Sequence, residues 1–473
     1  MAVSVPPVLP AGVPPVLYED NHLLVVEKPP NLPVQADSSG DADLLTILKA
    51  YIKEKYNKPG DVYLGLCHRL DRPVGGVMVF ARTSKAAARL TAQFSSRQAQ
   101  KRYAAVVEGE PPQSAALCDY LRAEEGEARV RVFPEPAPNA KQAKLSFRTM
   151  ARRGGFALLD ISLSTGRKHQ IRAQLSARGW PIRFDQRYHP APARGQIALW
   201  AYSLSFDHPT KGERMRFFAK PRGEAFAPFD AQVTGLAVRD VCDAVYADDN
   251  LLVAAKRAGV EVTIADGGEN SLEALLAPHF SKLYPVHRLD ANTEGLLLFA
   301  RNASAAGELL DAIRSQRVEK YYQCLVRGVP RKRQDVIEAY ARKDAQAGKL
   351  FVYDDPVPGA LPIKTGYRVL GEEDGNSLLE VRLYTGRTHQ IRAHLAHIGH
   401  PVLGDDKYGD REANKQAHMR RQALLAARLT LHFETYSPLA YLDGRTFECP
   451  WELALLAQRE APRNEQCKMN NEQ

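Results

Sequence analysis

The chain has 473 residues, 44% of them apolar and 25% charged, a balance that fits a soluble globular protein of more than one domain. No apolar run approaches the roughly 18 residues a membrane span needs. The Pro- and Val-rich start, Met1–Pro15, lacks the basic flank of a secretory signal and reads as a short extended arm. The net charge of +9 is uneven: residues 1–235 carry 33 Lys and Arg against 22 Asp and Glu, and residues 236–473 carry 31 against 33. A basic surplus suits a polyphosphate partner, although charge alone fits plain solubility as well. If such a partner is gripped, the first half does more of the gripping. The six cysteines include no CxxC pair, so they suggest neither a zinc site nor a redox motif, and they fit a reducing cytoplasm.

In chain order, Ile47–Asn57 has the apolar spacing of an amphipathic helix, and Gly76–Ala81 is an apolar run of buried-strand length. Thr83–Gln100 has helical periodicity, Arg102–Val107 and Phe156–Ser162 read as strands, and His169–Ala177 suits a helix entered from a Thr-Gly turn. The same succession follows as strand Gly295–Ala300, helix Asn302–Gln316, strands Tyr322–Val326 and Leu378–Leu383, and helix His389–His397. The predicted class is α/β: a mixed, largely antiparallel sheet flanked by helices, built twice.

The repetition is explicit in the letters. Val16–Lys28 (VLYEDNHLLVVEK) returns as Ala244–Lys256 (AVYADDNLLVAAK), and His68-Arg69-Leu70-Asp71 returns as His287-Arg288-Leu289-Asp290. Lys101-Arg-Tyr103 returns as Lys320-Tyr-Tyr322, and Thr165-Gly-Arg-Lys-His-Gln-Ile-Arg172 as Thr385-Gly-Arg-Thr-His-Gln-Ile-Arg392. Asp to Tyr is 32 residues in both halves, and Asp to Arg is 101 and 102. Four motifs in register twice mean duplication. The halves differ mainly before HRLD, where Lys28 to His68 spans 40 residues and Lys256 to His287 spans 31. The expected domains are 1–235 and 236–460, followed by a polar tail, 461–473.

An Asp, a Tyr and an Arg recur at fixed spacing on different elements. A carboxylate serves as nucleophile, base or metal ligand. The charged groups near Asp71 and Asp290 in sequence are mainly Arg, which disfavours a metal. Arg172 and Arg392 are candidates to orient the aspartates and hold them ionised. A lone Asp–Arg pair is commonly structural and a lone strand Tyr commonly core; retention in both halves argues for a site. His68, His287, His169 and His389 are expected to support the site rather than act as bases, since imidazole beside Arg is a poor base.

HRLD with a small-residue turn, a Tyr about thirty residues on, and TGRxHQIR about a hundred on resemble the RluA-type RNA pseudouridine synthases. The resemblance covers roughly residues 16–220 and 244–450. It implies Asp71 and Asp290 as nucleophiles, Tyr103 and Tyr322 as the active-site tyrosines, and Arg172 and Arg392 as the basic partners of the aspartates. It implies that Arg69 and Arg288 displace and replace the target base. The implied reaction isomerises uridine in ribosomal or transfer RNA and requires neither cofactor nor metal. A cytoplasmic monomer, away from membranes, is expected.

The second half keeps Pro401-Val-Leu-Gly-Asp-Asp-Lys-Tyr-Gly409, whereas the first has Pro181-Ile-Arg-Phe-Asp-Gln-Arg-Tyr-His189, with Phe184 and His189 at the glycine positions. The turns after HRLD also differ, Arg72-Pro-Val-Gly-Gly76 against Ala291-Asn-Thr-Glu-Gly295. Both sites are expected to be active. Basic runs at Arg152–Arg153, Arg327–Arg333 and Arg420–Arg421 are candidates for gripping RNA. The competing readings are an RNA-binding or assembly protein built from inactive lobes, and a chain with one live site whose other lobe docks the RNA.

Overall fold

The computed structural model describes residues 12–453 except 38–39, 125–126, 128, 264–270, 281, 345–346, 417–418 and 420. The polar tail, nearly all of the N-terminal arm and Arg420 lie outside the described residues. Among the described residues the chain forms two compact units, one running to Thr210 with Arg216–Ala237, the other comprising Lys211–Met215 and the chain from Val238 on.

The first unit contains β1 (Val16–Glu19), β2 (Leu23–Lys28), α1 (Leu44–Lys55), β3 (Gly65–Leu66), β4 (Gly75–Ala81) and α2 (Ser84–Ser95). There follow β5 (Gln100–Glu108), β6 (Ser114–Ala123), β7 (Val130–Phe133), β8 (Lys141–Arg153), β9 (Phe156–Leu163) and α3 (Gln170–Ser176). It closes with β10 (Leu199–Asp207), β11 (Arg214–Phe218) and α4 (Asp230–Val241). The expected boundary at 235/236 therefore falls inside a helix.

The strand order is β1-β2-β4-β10-β5-β9-β8-β6-β7, with β3 beside β4 and β11 beside β10. Among the pairings of β1 to β10, every one is antiparallel except β4 with β10. All seven residues of β4 and all six of β2 are buried, which explains their near-continuous apolar sequences. Gly76, at φ +130°, is fixed by close approach: a Cβ there would lie 2.1 Å from the Ala201 carbonyl oxygen. Helix starts follow the side chains that cap them. Asp43 accepts the Thr46 N–H, and Thr83 accepts the Ala86 N–H.

The second unit repeats the plan with β12 (Cys242–Ala247), β13 (Leu251–Lys256), α5 (Leu272–Leu276), β14 (Tyr284–Pro285), β15 (Glu294–Ala300) and α6 (Ala303–Arg314). It continues through β16 (Val318–Arg327), β17 (Gln334–Asp344), β18 (Lys349–Tyr353), β19 (Leu361–Glu373), β20 (Asn376–Leu383) and α7 (Gln390–His397). It ends with α8 (Arg411–Gln416), β21 (Leu424–Leu431) and β22 (Thr446–Glu448). Its order is β12-β13-β15-β21-β16-β20-β19-β17-β18, again with one parallel pair, β15 with β21. Gly295 makes the same close approach, 2.2 Å from the Ala426 carbonyl oxygen for an added Cβ. No helix among the described residues is long and apolar enough to cross a membrane.

Candidate active site

The turn carrying Asp71 is held from two sides. His68 Nε2 accepts the backbone N–H of Val79 at 3.1 Å, tying the turn to β4, while its ring stacks on Phe94. Lys28, at the end of β2, donates from Nζ to the carbonyls of Pro29, Arg72 and Val74, each at 2.9 Å. In the second unit His287 Nε2 accepts the Leu298 N–H at 3.0 Å. Lys256 donates to the carbonyls of Arg257, Val260 and Ala291 at 3.1, 3.0 and 2.8 Å. Burial, reinforced by Lys101 and Lys320, pushes His68 and His287 down to about 3. Both imidazoles are therefore neutral acceptors at neutral pH, as bracing for the turn requires. Burial also draws the Lys28 ammonium down to about 7, against the pull of Asp71.

The arginine of TGRxHQIR arrives on α3. The motif's Thr and Gln close its entry: Thr165 donates to Gln170 Oε1 at 2.8 Å, and Gln170 Nε2 donates to the Lys144 carbonyl at 3.1 Å. One turn on, Arg172 donates from Nη1 to Asp71 Oδ2 at 3.1 Å. Its other edge grips Asp185, Nε to Oδ2 at 2.8 Å and Nη2 to Oδ1 at 2.7 Å. Arg392 repeats this with Asp290 Oδ2 at 3.0 Å and with Asp405 at 2.6 and 3.0 Å. One guanidinium thus bridges two carboxylates. Burial opposes its charge, but the contacts to Asp185 and Asp71 outweigh burial and hold Arg172 above its ordinary range. Asp185 is fully buried, and its Oδ1 also accepts the N–H groups of Arg187 and Tyr188 at 2.9 and 3.2 Å. Despite that burial the arginine holds its carboxyl below the usual carboxylate range.

Tyr188 lies under the guanidinium, 5.3 Å from carbon to ring centroid, and its hydroxyl stands 2.9 Å from His169 Nδ1. Tyr408 does the same for Arg392 and His389, at 5.3 and 3.0 Å. Tyr103 on β5 and Tyr322 on β16 are buried, and burial, then the charge of Asp71 or Asp290, raises both phenols. They stay protonated at neutral pH.

In the first unit these groups line a cleft of about 1880 Å³, with nine Lys or Arg and three Asp among its lining residues. Beyond Arg69, Arg72 and Arg172, the cations are Arg97, Lys101, Arg129, Arg167, Lys168 and Arg187. Arg69 is exposed at the cleft, and among the described residues neither it nor Arg288 makes a hydrogen bond or ion pair. An exposed cation near a carboxylate held by a buried arginine, once in each unit, is suited to a polyanion that must also be opened locally. Among the described residues no three His, Cys, Asp or Glu side chains gather as a metal site.

Residues 22–177 and 250–397 match the RNA pseudouridylate synthase family. The chain belongs to that family. An uncharacterized RNA pseudouridine synthase of Chloroflexus aurantiacus is 43% identical over 146 residues, 31% of this chain and 44% of its own. The ribosomal large subunit pseudouridine synthase C of Vibrio cholerae is 36% identical over 188 residues, 39% of this chain and 58% of its own. An uncharacterized RNA pseudouridine synthase of Chlorobaculum parvum is 33% identical over 238 residues, 46% of this chain and 70% of its own. The chain spans about half the length of the first two relatives.

Within this synthase-family site the Asp and Arg named from sequence meet directly, their Tyr lies within the field of the Asp, and the HRLD Arg stands exposed beside it. The two histidine pairs separate: His68 and His287 brace the turn, whereas His169 and His389 face the aspartates. Unforeseen were Asp185 and Asp405, Tyr188 and Tyr408, and the bracing Lys28 and Lys256. Several members of the basic runs have partners on the surface. Arg327 pairs with Asp410, Lys332 with Asp335 and Arg333 with Glu372, and Arg152 donates to the Pro111 carbonyl. Arg167 and Lys168 are neighbours in the TGRxHQIR segment, and most other cations of the first cleft come from separate stretches of the chain.

The glycine departures also resolve structurally. Phe184 adopts φ +63° where Gly404 has +75°, so the turn is the same. A Cβ on Gly404 would lie 1.8 Å from the Arg421 carbonyl oxygen, whereas the Phe184 ring packs on Gly195, which has no Cβ to obstruct it.

Proposed function

We propose that this chain isomerises uridine to pseudouridine in structured ribosomal or transfer RNA, with one active site in each half. The observation that carries the reading is the state of the aspartate. In both halves Oδ2 is fixed by the arginine, while Oδ1 accepts no hydrogen bond among the described residues and is open to attack a nucleotide.

A paired uridine must first be unstacked, at roughly a few kcal/mol. Cationic contacts to phosphate offset this, and Arg69 or Arg288 fills the vacated stack with a planar guanidinium. Tyr103 or Tyr322 stacks on the extruded base. The aspartate attacks the nucleotide, the N-glycosidic bond breaks, the uracil turns, C5 bonds to the sugar, the aspartate departs, and the proton lost from C5 is balanced by one gained at N1. Nothing is oxidised or transferred, so no co-reactant is needed. The Vibrio relative, a ribosomal large subunit pseudouridine synthase by name, supports large-subunit ribosomal RNA as the class to test first. The chain works as a cytoplasmic monomer in this proposal.

The test is incubation of unmodified bulk cellular RNA with wild type, Asp71→Asn, Asp290→Asn and the double variant, followed by pseudouridine mapping. Each single variant is expected to lose its own subset of sites, and the double variant all. Wild type that forms none is a binding protein, and a single variant that abolishes every site leaves one live lobe.

A further inference from the structure

Each half holds one cation withdrawn from water and given nothing in return. Lys101 on β5 and Lys320 on β16 are half-buried, and neither side chain makes a hydrogen bond or ion pair among the described residues. Burial draws both ammonium groups below the ordinary lysine range. A cation taken out of water costs free energy unless a countercharge or hydrogen-bond acceptors meet it. Lys28 and Lys256, also buried, each find three carbonyls. Both halves keep the unpartnered lysine as they keep the braced one.

Position narrows what the missing partner is. Lys101 and Tyr103 both line the first cleft, and residues two apart on a strand share a face, about 7 Å apart along it. Lys320 and Tyr322 stand in the same relation on β16. The ammonium tip reaches the turn of TGRxHQIR: a Cβ built on Gly166 would lie 3.1 Å from Lys101 Nζ, and one on Gly386 3.9 Å from Lys320 Nζ. On the other side the charge of Lys101 is felt by His68, and that of Lys320 by His287, so each lysine stands where the two motifs converge. Arg97, Arg129, Arg167 and Lys168, by contrast, are exposed on the first cleft and suited to phosphate. What passes deeper than such cations is a base turned out of its stack.

That base gains charge during the reaction. When the N-glycosidic bond breaks, its electron pair stays with the uracil and spreads from N1 onto O2 and O4. A pair returns to the new bond when C5 joins the sugar; C5 then gives up its proton and N1 gains one. We propose that Lys101 and Lys320 each donate a hydrogen bond from Nζ to a carbonyl oxygen of the target uracil and stabilise the negative charge it carries while detached. The lysine keeps its own proton throughout, and the charge falls on those oxygens wherever the aspartate attaches. The inference rests on the synthase reading above and makes both lysines catalytic residues within it.

The test uses the full chain in the Asp71→Asn background, where only the second site turns over. Lys320→Met is expected to lower the single-turnover rate on mapped RNA about a hundredfold, with RNA affinity within about twofold, as loss of one charge-stabilising donor does. Lys320→Arg is expected to recover part of the rate. Because Met removes an unpartnered buried cation, the melting temperature is expected to stay at or above that of the parent chain. A lower melting temperature with an unchanged rate marks a structural lysine and overturns the proposal. With 2-thiouridine or 4-thiouridine at the target position, sulfur accepts the hydrogen bond poorly, so the Lys320→Met penalty is expected to shrink to about tenfold or less on one of the two. An equal penalty on all three substrates overturns the contact with the base. Weaker binding with a shallower salt dependence and an unchanged rate overturns it too, and makes Lys320 a phosphate contact. If Lys320→Met does not fold, Lys320→Gln carries the same comparison. A wild-type chain that forms no pseudouridine on unmodified RNA sinks the synthase reading itself, whereas an active wild type with an undiminished Lys320→Met rate sinks only the lysine's part.

Discussion

Replacing Asp405 by Asn is expected to damage the second half's stability far more than replacing the proposed nucleophile Asp290. Asp405 is fully buried and accepts four hydrogen bonds: two from Arg392, at 2.6 and 3.0 Å, and the N–H groups of Lys407 and Tyr408, at 2.9 and 3.0 Å. The Arg392 side chain is only 7% exposed, and burial works against its charge, which is sustained by Asp405 first and Asp290 second. An Asn of the same volume removes the main countercharge and turns an N–H toward the guanidinium. Stripping a partner from a buried pair costs about 3–5 kcal/mol. Asp290 remains, so the lower end, about 3 kcal/mol, applies, equivalent to roughly 6–12 °C in the second half's melting transition. Asp290→Asn leaves the Arg392–Asp405 pair whole and removes a carboxylate that is 23% exposed. It is expected to stay within about 1 kcal/mol of wild type while abolishing second-site product. Calorimetric unfolding of the full chain, paired with pseudouridine assays in the Asp71→Asn background, separates the two effects. An Asp405→Asn chain melting within about 1 kcal/mol of wild type would refute the idea that Asp405 anchors the arginine.

Gly404→Ala places a Cβ 1.8 Å from the Arg421 carbonyl oxygen and is expected to destabilise the second half by about 2 kcal/mol or more. Phe184→Gly opens space and is expected to cost through lost packing alone; equal effects in thermal melts would contradict this. Stability should fall in acid. The unfolded chain protonates histidine near the ordinary 6.5, whereas folded His68 and His287 do so only near 3. The unfolded state therefore holds more protons between those limits, and stability, complete above about pH 6.5, declines below it by at most about 1.4 kcal/mol per pH unit for each histidine. Denaturant titrations across that window check the slope, and a flat profile contradicts it. Neutralising Arg167 and Lys168 together by Gln is expected to lower the salt slope of RNA binding by about 1 to 2, read by anisotropy at several salt concentrations. An unchanged slope means that neither cation meets phosphate.

The duplicated architecture was legible because both halves preserve strand-length apolar runs and capped helices at the same spacing. Gly76–Ala81 announces a strand buried on both faces, and the structure buries all of β4. The Asp, Tyr and Arg of the site were legible for the same reason: unrelated drift would have erased one of six. Asp185 and Asp405 were harder to see. They sit in Pro181–His189 and Pro401–Gly409, where the varying glycine positions drew attention away from the Asp and Tyr that do not vary. Sequence distance also gave no sign that one guanidinium would meet carboxylates on both its edges. Charge runs carry local counterions, as Arg333 finds in Glu372 and Lys332 in Asp335, so a run alone does not mark a grip on RNA. Apart from the neighbours Arg167 and Lys168, most cations that line the cleft come from distant stretches, and only the fold collects them.

The place of β10 in the sheet order has a consequence for how the site comes into being. Without it the sheet is two separate pieces: β1-β2-β4, preceded by the turn that holds Asp71, and β5-β9-β8-β6-β7, which supplies Tyr103 and leads into the helix of Arg172. The strand that stitches them together is among the last the ribosome delivers for that half, and β21 plays the same late part for the second. A nascent chain therefore carries its nucleophile and the groups that direct it on unjoined pieces. On the proposed reaction, the chemistry would switch on only when each half is nearly complete.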